Sequence, residues 1–284
     1  MRNSLGKVVR LSALVGAGGA LSFAVFFSNC GGSDGQRTGS AGTSGGVAGT
    51  TGTGGTGGTG GRVPCPSDSV LDCPAAITLA SGHVTTFSPD EWSPTDGKYC
   101  NASGLRGSVF SYSGPTVDGG NISSNSHGVD AAAGNFRLSL MAGPGGYAGG
   151  GISFDSCVNA AAFNALSFSA WVASGDITGC NFKVQLQTFE QRPMSQSPPG
   201  LCDSAAGSCY GFPASPNLTL TTTPTPITVP FAQFTTNATH ANPAPGQVVG
   251  LQWQLESGAA AEDGGIQPAC TVEIRIDDIK FVTQ

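Results

Sequence analysis

The chain has 284 residues, and its 12 Lys or Arg against 18 Asp or Glu give a net charge of −6 at neutral pH. All eighteen acids follow Cys30 while three of the basic residues precede it, so the part after Cys30 has nine basic residues against eighteen acids, a net of −9. A charge of this sign argues against nucleic acid or the anionic face of a bilayer as a partner.

The first thirty residues have the features of an export signal. Basic residues at positions 2, 7 and 10 precede the uncharged apolar run Leu11–Phe27. This order predicts a signal peptide over residues 1–29, and the glycines in the run argue against a permanent transmembrane helix. The segment Phe27-Ser28-Asn29-Cys30 resembles the lipobox of bacterial lipoproteins, although Asn29 stands where a small residue is usual. The resemblance implies lipidation of Cys30 and a place in the cell envelope, at the outer membrane or cell surface. A plain secretory signal cleaved nearby is the alternative.

A low-complexity segment follows the predicted signal. Gly31–Gly61 consists almost entirely of Gly, Thr, Ser and Ala, which supply no large apolar side chain for a core. We therefore predict a disordered linker over residues 30–62, with a mean span of roughly 30 Å. Residues 63–284 are then a single folded domain, which we expect to be monomeric.

The cysteines support export. Without Cys30 the chain keeps an even set of eight, which in an exported protein predicts disulfides rather than zinc. Short loops favour the pairs Cys65–Cys73 and Cys202–Cys209, which leaves four to pair across the fold. Those four are Cys100, Cys157, Cys180 and Cys270.

Beyond residue 62 the apolar residues alternate with polar ones, as in β-strands. The clearest alternations run over residues 166–172, 182–189, 251–256 and 272–277, and weaker ones over Val84–Phe87, Leu105–Tyr112, Phe136–Met141, Gly150–Phe154 and Ile227–Pro230. Nine or ten strands with turn-rich connections predict an all-β, two-sheet sandwich of the jelly-roll type. In the last strand the apolar phase moves from even to odd positions at Asp277-Asp278, which predicts a bulge.

Several segments, in this order and spacing, resemble the galactose-binding-like jelly rolls, including carbohydrate-binding modules of the cellulosome type. They are Phe87–Trp92, Gly149–Phe154, Cys157–Phe163, Leu166–Phe168 and Val272–Phe281. The resemblance implies a jelly roll over most of Phe87–Val282. It also implies a structural calcium near the first and last strands and, in many members, a saccharide groove on one sheet.

Acidic residues stand where that calcium is implied. Asp90 and Glu91 lie near the start of the domain, and Asp277 and Asp278 lie at the phase break. Calcium takes six to eight oxygen ligands, and carboxylates with turn carbonyls supply them. We therefore predict a structural Ca²⁺ held by these four acids; solvated acids without a metal are the alternative.

A polar sheet face is the candidate ligand site. The polar phases of three strands contain glutamines, whose amides both donate and accept hydrogen bonds and so suit sugar hydroxyls. Trp171 lies on the polar phase of its strand, where its ring would stack on a pyranose, and Trp253 lies on the apolar phase and is expected in the core. A plain solvated face uses the same alternation. The predicted ligand residues are Tyr147, Trp171, Gln185, Gln187, Gln252, Gln254 and Glu256.

Catalytic motifs are lacking in the sequence. His83, His127 and His240 are the only histidines, and none lies in a nucleophile or metalloprotease motif. The sequence therefore favours a non-catalytic, carbohydrate-binding surface lipoprotein with a polysaccharide or glycan as its partner. A structural or adhesive envelope lipoprotein without a sugar site is the alternative, and a polysaccharide-active hydrolase is a weaker one.

Overall fold

The computed structural model describes residues 73, 76–114, 123–196, 199–203, 209–235, 245–258 and 269–284. The described residues fall within one compact unit, and none of their helices is long and apolar enough to cross a membrane. The predicted signal peptide, the linker, Cys30 and Cys65 lie outside the described residues.

Thirteen strands in the described part form two sheets, and all pairs but one are antiparallel. The strands are β1 (Ile77–Thr78), β2 (His83–Thr85), β3 (Trp92–Ser93), β4 (Lys98–Cys100), β5 (Arg106–Ser113), β6 (Ser124–Asp130), β7 (Asn135–Ala142), β8 (Tyr147–Asn159), β9 (Ala165–Asp176), β10 (Cys180–Thr188), β11 (Thr225–Pro230), β12 (Val248–Ser257) and β13 (Cys270–Val282). The seven-stranded sheet has the order β10-β12-β8-β5-β4-β3, with β1 parallel to β8. The six-stranded sheet has the order β11-β9-β13-β7-β6, with β2 beside β13.

The core lies between the two sheets. Trp253 of β12 is fully buried, and its ring contacts Phe168 of β9 at 5.6 Å and Phe136 of β7 at 6.3 Å between centroids. These contacts join the seven-stranded sheet to the six-stranded one, since β9 and β7 belong to the latter. The predicted all-β sandwich is confirmed, and so is the core position of Trp253.

The predicted strands are present with their predicted burial. The apolar phases of β9, β10, β12 and β13 all face the core. The five weaker predictions coincide with β2, β5, β7, β8 and β11. The short strands β1, β3 and β4 and the polar strand β6 were not predicted, because none carries a clear apolar alternation.

The predicted irregularity in β13 is confirmed. Ile276 and Ile279 are both fully buried although they are three positions apart, an odd spacing, and the register with β9 shifts between Asp277 and Lys280. Asp278 takes a φ of +49°, the left-handed region that Asp tolerates better than most residues. The bulge therefore returns Ile279 and Phe281 to the core and places the carboxylates of Asp277 and Asp278 at the irregularity.

The disulfides differ in part from the prediction. Cys202–Cys209 is confirmed, and Cys180–Cys270 links β10 to β13 across the two sheets. The predicted Cys65–Cys73 pair is wrong, because Cys73 is bonded to Cys157 with a Cα–Cα distance of 4.8 Å. Strand β8 brings Cys157 next to the segment before β1, a contact that loop length alone does not reveal.

An ion pair links β2 to the turn that follows it. Nε2 of His83 lies 2.5 Å from Oε1 of Glu91, and the hydrogen bond raises the pKa of His83 above its usual value of 6.5. Burial opposes ionisation of Glu91, but its bonds with His83 and the Thr86 amide outweigh burial and lower its pKa. The pair is therefore charged on both sides at mildly acidic pH.

We predict that this pair stabilises the domain most between about pH 4.5 and 6.5. The contribution of His83 is complete below its unfolded pKa and is lost as pH rises through the higher folded value. The contribution of Glu91 is complete above its unfolded pKa and is lost as pH falls. In this pH range, His83→Gln should lower the unfolding temperature. The decrease should be larger, by about 2 °C or more, than the decrease that the same substitution causes at alkaline pH.

The control is His127→Gln. Burial lowers the pKa of His127, so its replacement should have the opposite pH dependence and favour the variant at acidic pH. Unfolding temperatures of the three proteins across the pH range check both signs. An effect of His83→Gln that does not change with pH would contradict the assignment.

Candidate functional site

The predicted ligand residues lie on two opposite faces of the sandwich. Trp171 belongs to β9 of the six-stranded sheet and points away from the core, because its neighbours Ala170 and Val172 are buried. The glutamines belong to β10 and β12 of the seven-stranded sheet. The expectation that Trp171 and the glutamines share one polar sheet face is therefore wrong, because strand pairing assigns them to different sheets.

The other six predicted residues share one surface, which also carries side chains that were not predicted. Across the sheet, Gln185 is paired with Gln252, and Gln254 with Gly149 of β8. Gly149 is in turn paired with Tyr112 of β5. We call this surface the glutamine face, formed by Phe110, Tyr112, Tyr147, Lys183, Gln185, Gln187, Gln252, Gln254 and Glu256.

Glycines let large side chains lie flat on this face. A Cβ added at Gly149 would lie 2.6 Å from Cζ of Tyr112, so the tyrosine ring lies across the position of the missing side chain. A Cβ at Gly250 would likewise lie 2.5 Å from Oε1 of Gln187. Side chains at these two positions would lift the tyrosine and the glutamine off the sheet.

Three glutamine side chains are hydrogen-bonded in series. Nε2 of Gln187 donates to Oε1 of Gln252 at 2.6 Å, and Nε2 of Gln252 donates to Oε1 of Gln185. Gln187 and Gln252 are only 9% and 8% exposed, so these bonds fix amides that water reaches poorly. Gln185 at the end of the series is half-buried, and its Nε2 has no hydrogen-bond partner among the described residues.

A second series crosses the face beside the first. The Tyr112 hydroxyl donates to Oε1 of Gln254 at 3.0 Å, and Nε2 of Gln254 donates to Oε1 of Glu256 at 2.7 Å. Lys183 pairs with the other oxygen of Glu256 at 2.7 Å. Burial raises the pKa of Tyr112 well above its usual range, so the hydroxyl stays protonated and remains a donor.

An aromatic row borders the glutamines. The rings of Phe110 and Tyr112 lie 6.1 Å apart at 28°, and Tyr147 lies 6.2 Å from Tyr112. All three rings are half-buried and lie on the outward phase of their strands. Tyr147 was predicted from the sequence. Phe110 and Tyr112 were missed, although aromatic residues on an outward phase of β5 are the same signal that singled out Trp171.

The chain after β10 pairs at the edge of the sheet. The Leu186 amide donates to the carbonyl of Pro213 and the Ser215 amide to that of Val184, so this segment runs beside β10. Phe189, just after β10, packs on a small apolar cluster near the end of β8. This cluster contains Cys73 and Cys157 and is separate from the core. The part of the segment around Pro213 and Ser215 therefore extends the sheet beyond β10.

The predicted calcium ligands have other partners in the structure. Glu91 accepts bonds from His83, the Thr85 hydroxyl, and the amide and hydroxyl of Thr86, which does not fit a carboxylate that binds a cation. Asp278 pairs with Lys280 at 2.7 Å, Asp277 accepts the Asp278 amide, and Asp90 is exposed. No group of three metal-binding side chains occurs among the described residues. The calcium site stays a prediction.

No protein-family profile and no curated protein sequence matches this chain. Among solved structures, the chain is similar to a family 11 carbohydrate-binding module from Clostridium thermocellum in complex with a β-1,3-1,4-mixed-linked tetrasaccharide. The identity is 13%, the match covers 62% of this chain and 88% of that one, and the TM-score is 0.40.

Two further structures are similar to this chain at lower TM-scores. A variant of a family 29 carbohydrate-binding module is 9% identical, with 61% of this chain and 91% of that chain covered and a TM-score of 0.29. A low-affinity xylan-binding module from Roseburia intestinalis is 10% identical, with coverage of 61% and 96% and a TM-score of 0.25.

The amide series can be tested by a double-mutant cycle. Gln187→Ala and Gln252→Ala should each lower the free energy of unfolding by about 1–3 kcal/mol, because each leaves a buried amide without its partner. The double variant should cost less than the sum, with a coupling of about 0.5–3 kcal/mol. Urea unfolding of the wild type, the two single variants and the double variant measures this coupling.

The control is the exposed hydroxyl pair Thr221 and Thr225. Because water replaces an exposed hydrogen bond, the effects of Thr221→Ala and Thr225→Ala on the free energy of unfolding should add. Additive effects of the two glutamine substitutions would contradict the series.

Proposed function

We propose that this chain is a non-catalytic carbohydrate-binding protein and that the glutamine face takes a neutral glycan. The observation that carries the proposal is the arrangement of fixed amides beside an aromatic row on an outward sheet face. Sugars present hydroxyls that both donate and accept, together with an apolar ring face, and amides beside aromatic rings are complementary to both.

The amides are held in place before a ligand arrives. Gln252 both donates and accepts within its series, so its orientation is determined by Gln187 and Gln185. Nε2 of Gln185, which has no partner among the described residues, is then oriented by the bond that Oε1 of the same side chain accepts. Since fewer rotamers need to be fixed on binding, less conformational entropy is lost.

The centre of the glutamine face favours a neutral ligand. Its amides are uncharged, and its only two charged members, Lys183 and Glu256, neutralise each other at 2.7 Å. Hydroxyl groups rather than carboxylates or phosphates are therefore the ligand groups that suit the central amides.

The acids of this face suit binding better than glycoside hydrolysis. Hydrolysis uses one carboxyl group as acid and a second as base or nucleophile. Glu256 accepts from Gln254 and Lys183, and Asp155 is bound by two cations. Both carboxylates are thus held as acceptors. A structural or adhesive role without sugar is the second candidate, since the two series bond among themselves without any ligand.

We also propose that the chain is an exported lipoprotein of the cell envelope, anchored through Cys30 and separated from the membrane by the linker. Support comes from the seven described cysteines, all disulfide-bonded, as is usual in an oxidising compartment. Metabolic palmitate labelling should mark the expressed protein and be lost in Cys30→Ser. Equal labelling of both proteins would contradict the anchor.

Glycan binding can be tested on an array of neutral gluco-, manno-, xylo- and galacto-configured oligosaccharides with the full chain. The wild type should bind at least one of them. Tyr112→Ala should weaken that binding about tenfold or more, because it removes both a ring and the donor to Gln254. Tyr112→Phe is the matched control, since it keeps the ring and should retain more of the binding.

Each outcome of the array separates the candidate functions. No binding by the wild type to any oligosaccharide would overturn the carbohydrate proposal and favour the structural role. Binding that is unchanged in Tyr112→Ala, with an unchanged unfolding temperature, would contradict the proposed face.

A further inference from the structure

The opposite face of the sandwich contains a recess around Trp171. It has a volume of about 510 Å³ and lies over β9 and β13 of the six-stranded sheet. Trp171 is half-buried in its wall, beside Pro224, and Asn135, Ser169, Arg275 and Asp277 supply polar groups. We call this recess the Trp171 recess.

A guanidinium group is fixed in the recess. Arg275 is directly across from Trp171 in the register of β13 with β9. Its Nη2 lies 3.0 Å from Oε1 of Glu273, and its Nη1 lies 3.2 Å from Oδ1 of Asn135 and 3.4 Å from Oδ2 of Asp130. Three acceptors on three strands, β13, β7 and β6, thus hold the cation beside the indole.

The bulge in β13 gives the recess an acceptor. Asp277 is half-buried across from Ser169, and its Oδ1 accepts the amide of Asp278 at 2.5 Å. Its second oxygen has no hydrogen-bond partner among the described residues. A carboxylate fixed through one oxygen and open at the other is able to accept sugar hydroxyls.

From this geometry we propose that the Trp171 recess is a second glycan-binding site, which takes one neutral pyranose unit. The indole would stack on the apolar face of the sugar, while Asp277 accepts and Arg275 donates hydrogen bonds at its hydroxyls. This proposal is independent of the glutamine face, because the two sites use different sheets and share no residue.

Two sites on opposite faces would make the protein bivalent. One ligand chain cannot lie on both faces at once without passing around the edge of the sandwich. The protein would therefore bridge two glycan chains, and immobilised glycan would be bound more tightly than the same oligosaccharide in solution.

The test uses the same oligosaccharide array with the full chain and the Tyr112→Ala variant as background. In that background some binding should remain, and adding Trp171→Ala or Asp277→Asn should weaken it about tenfold or more. Asp278→Asn is the matched control, because Asp278 is the neighbouring acid, pairs with Lys280 and does not line the recess. Unfolding temperatures show that each variant is folded.

The outcomes distinguish the two sites. Binding that Tyr112→Ala abolishes completely would overturn the second site and leave the glutamine face. Binding that Trp171→Ala alone abolishes would support the second site and overturn the first. Residual binding that is equal with and without Trp171→Ala, or that Asp278→Asn weakens as much as Asp277→Asn does, would overturn the recess as described.

Discussion

The burial of Trp253 between the two sheets is the interaction on which the other features depend. Its ring contacts Phe136 and Phe168 of the opposite sheet, and this contact fixes which side of β12 faces the core. Because side chains alternate along a strand, the neighbours Gln252 and Gln254 must point outward. The same packing that stabilises the sandwich therefore places the central amides on a surface.

Much of the fold could be predicted because its signals are local. The alternation of Phe182 with Lys183 and the phase break at Asp277 are visible within ten residues, and each has the expected structural result. The partner of Cys73 was not predictable in this way. It depends on the pairing of β1 with β8, which joins residues more than eighty positions apart.

The candidate site was predictable in part for the same reason. Alternation showed that Trp171 and the glutamines are outward, but it does not say on which sheet a strand lies. Sheet order brought Tyr112 of β5 to Gln254 of β12 through Gly149, a contact between residues 142 positions apart. The glycines proved informative only once their neighbours were known, because their role is to leave room for side chains from other strands.

We propose that the fixed amides of the glutamine face contact a sugar. Side-chain amide NMR signals, followed while the best-bound neutral oligosaccharide from the array is added, test it most directly. We expect the NH₂ signals of Gln185, Gln252 and Gln254 to shift with a common affinity, while the signal of Asn164, which donates to the Gln284 carbonyl, stays in place. Saturation of the protein without a shift of those three signals would contradict it.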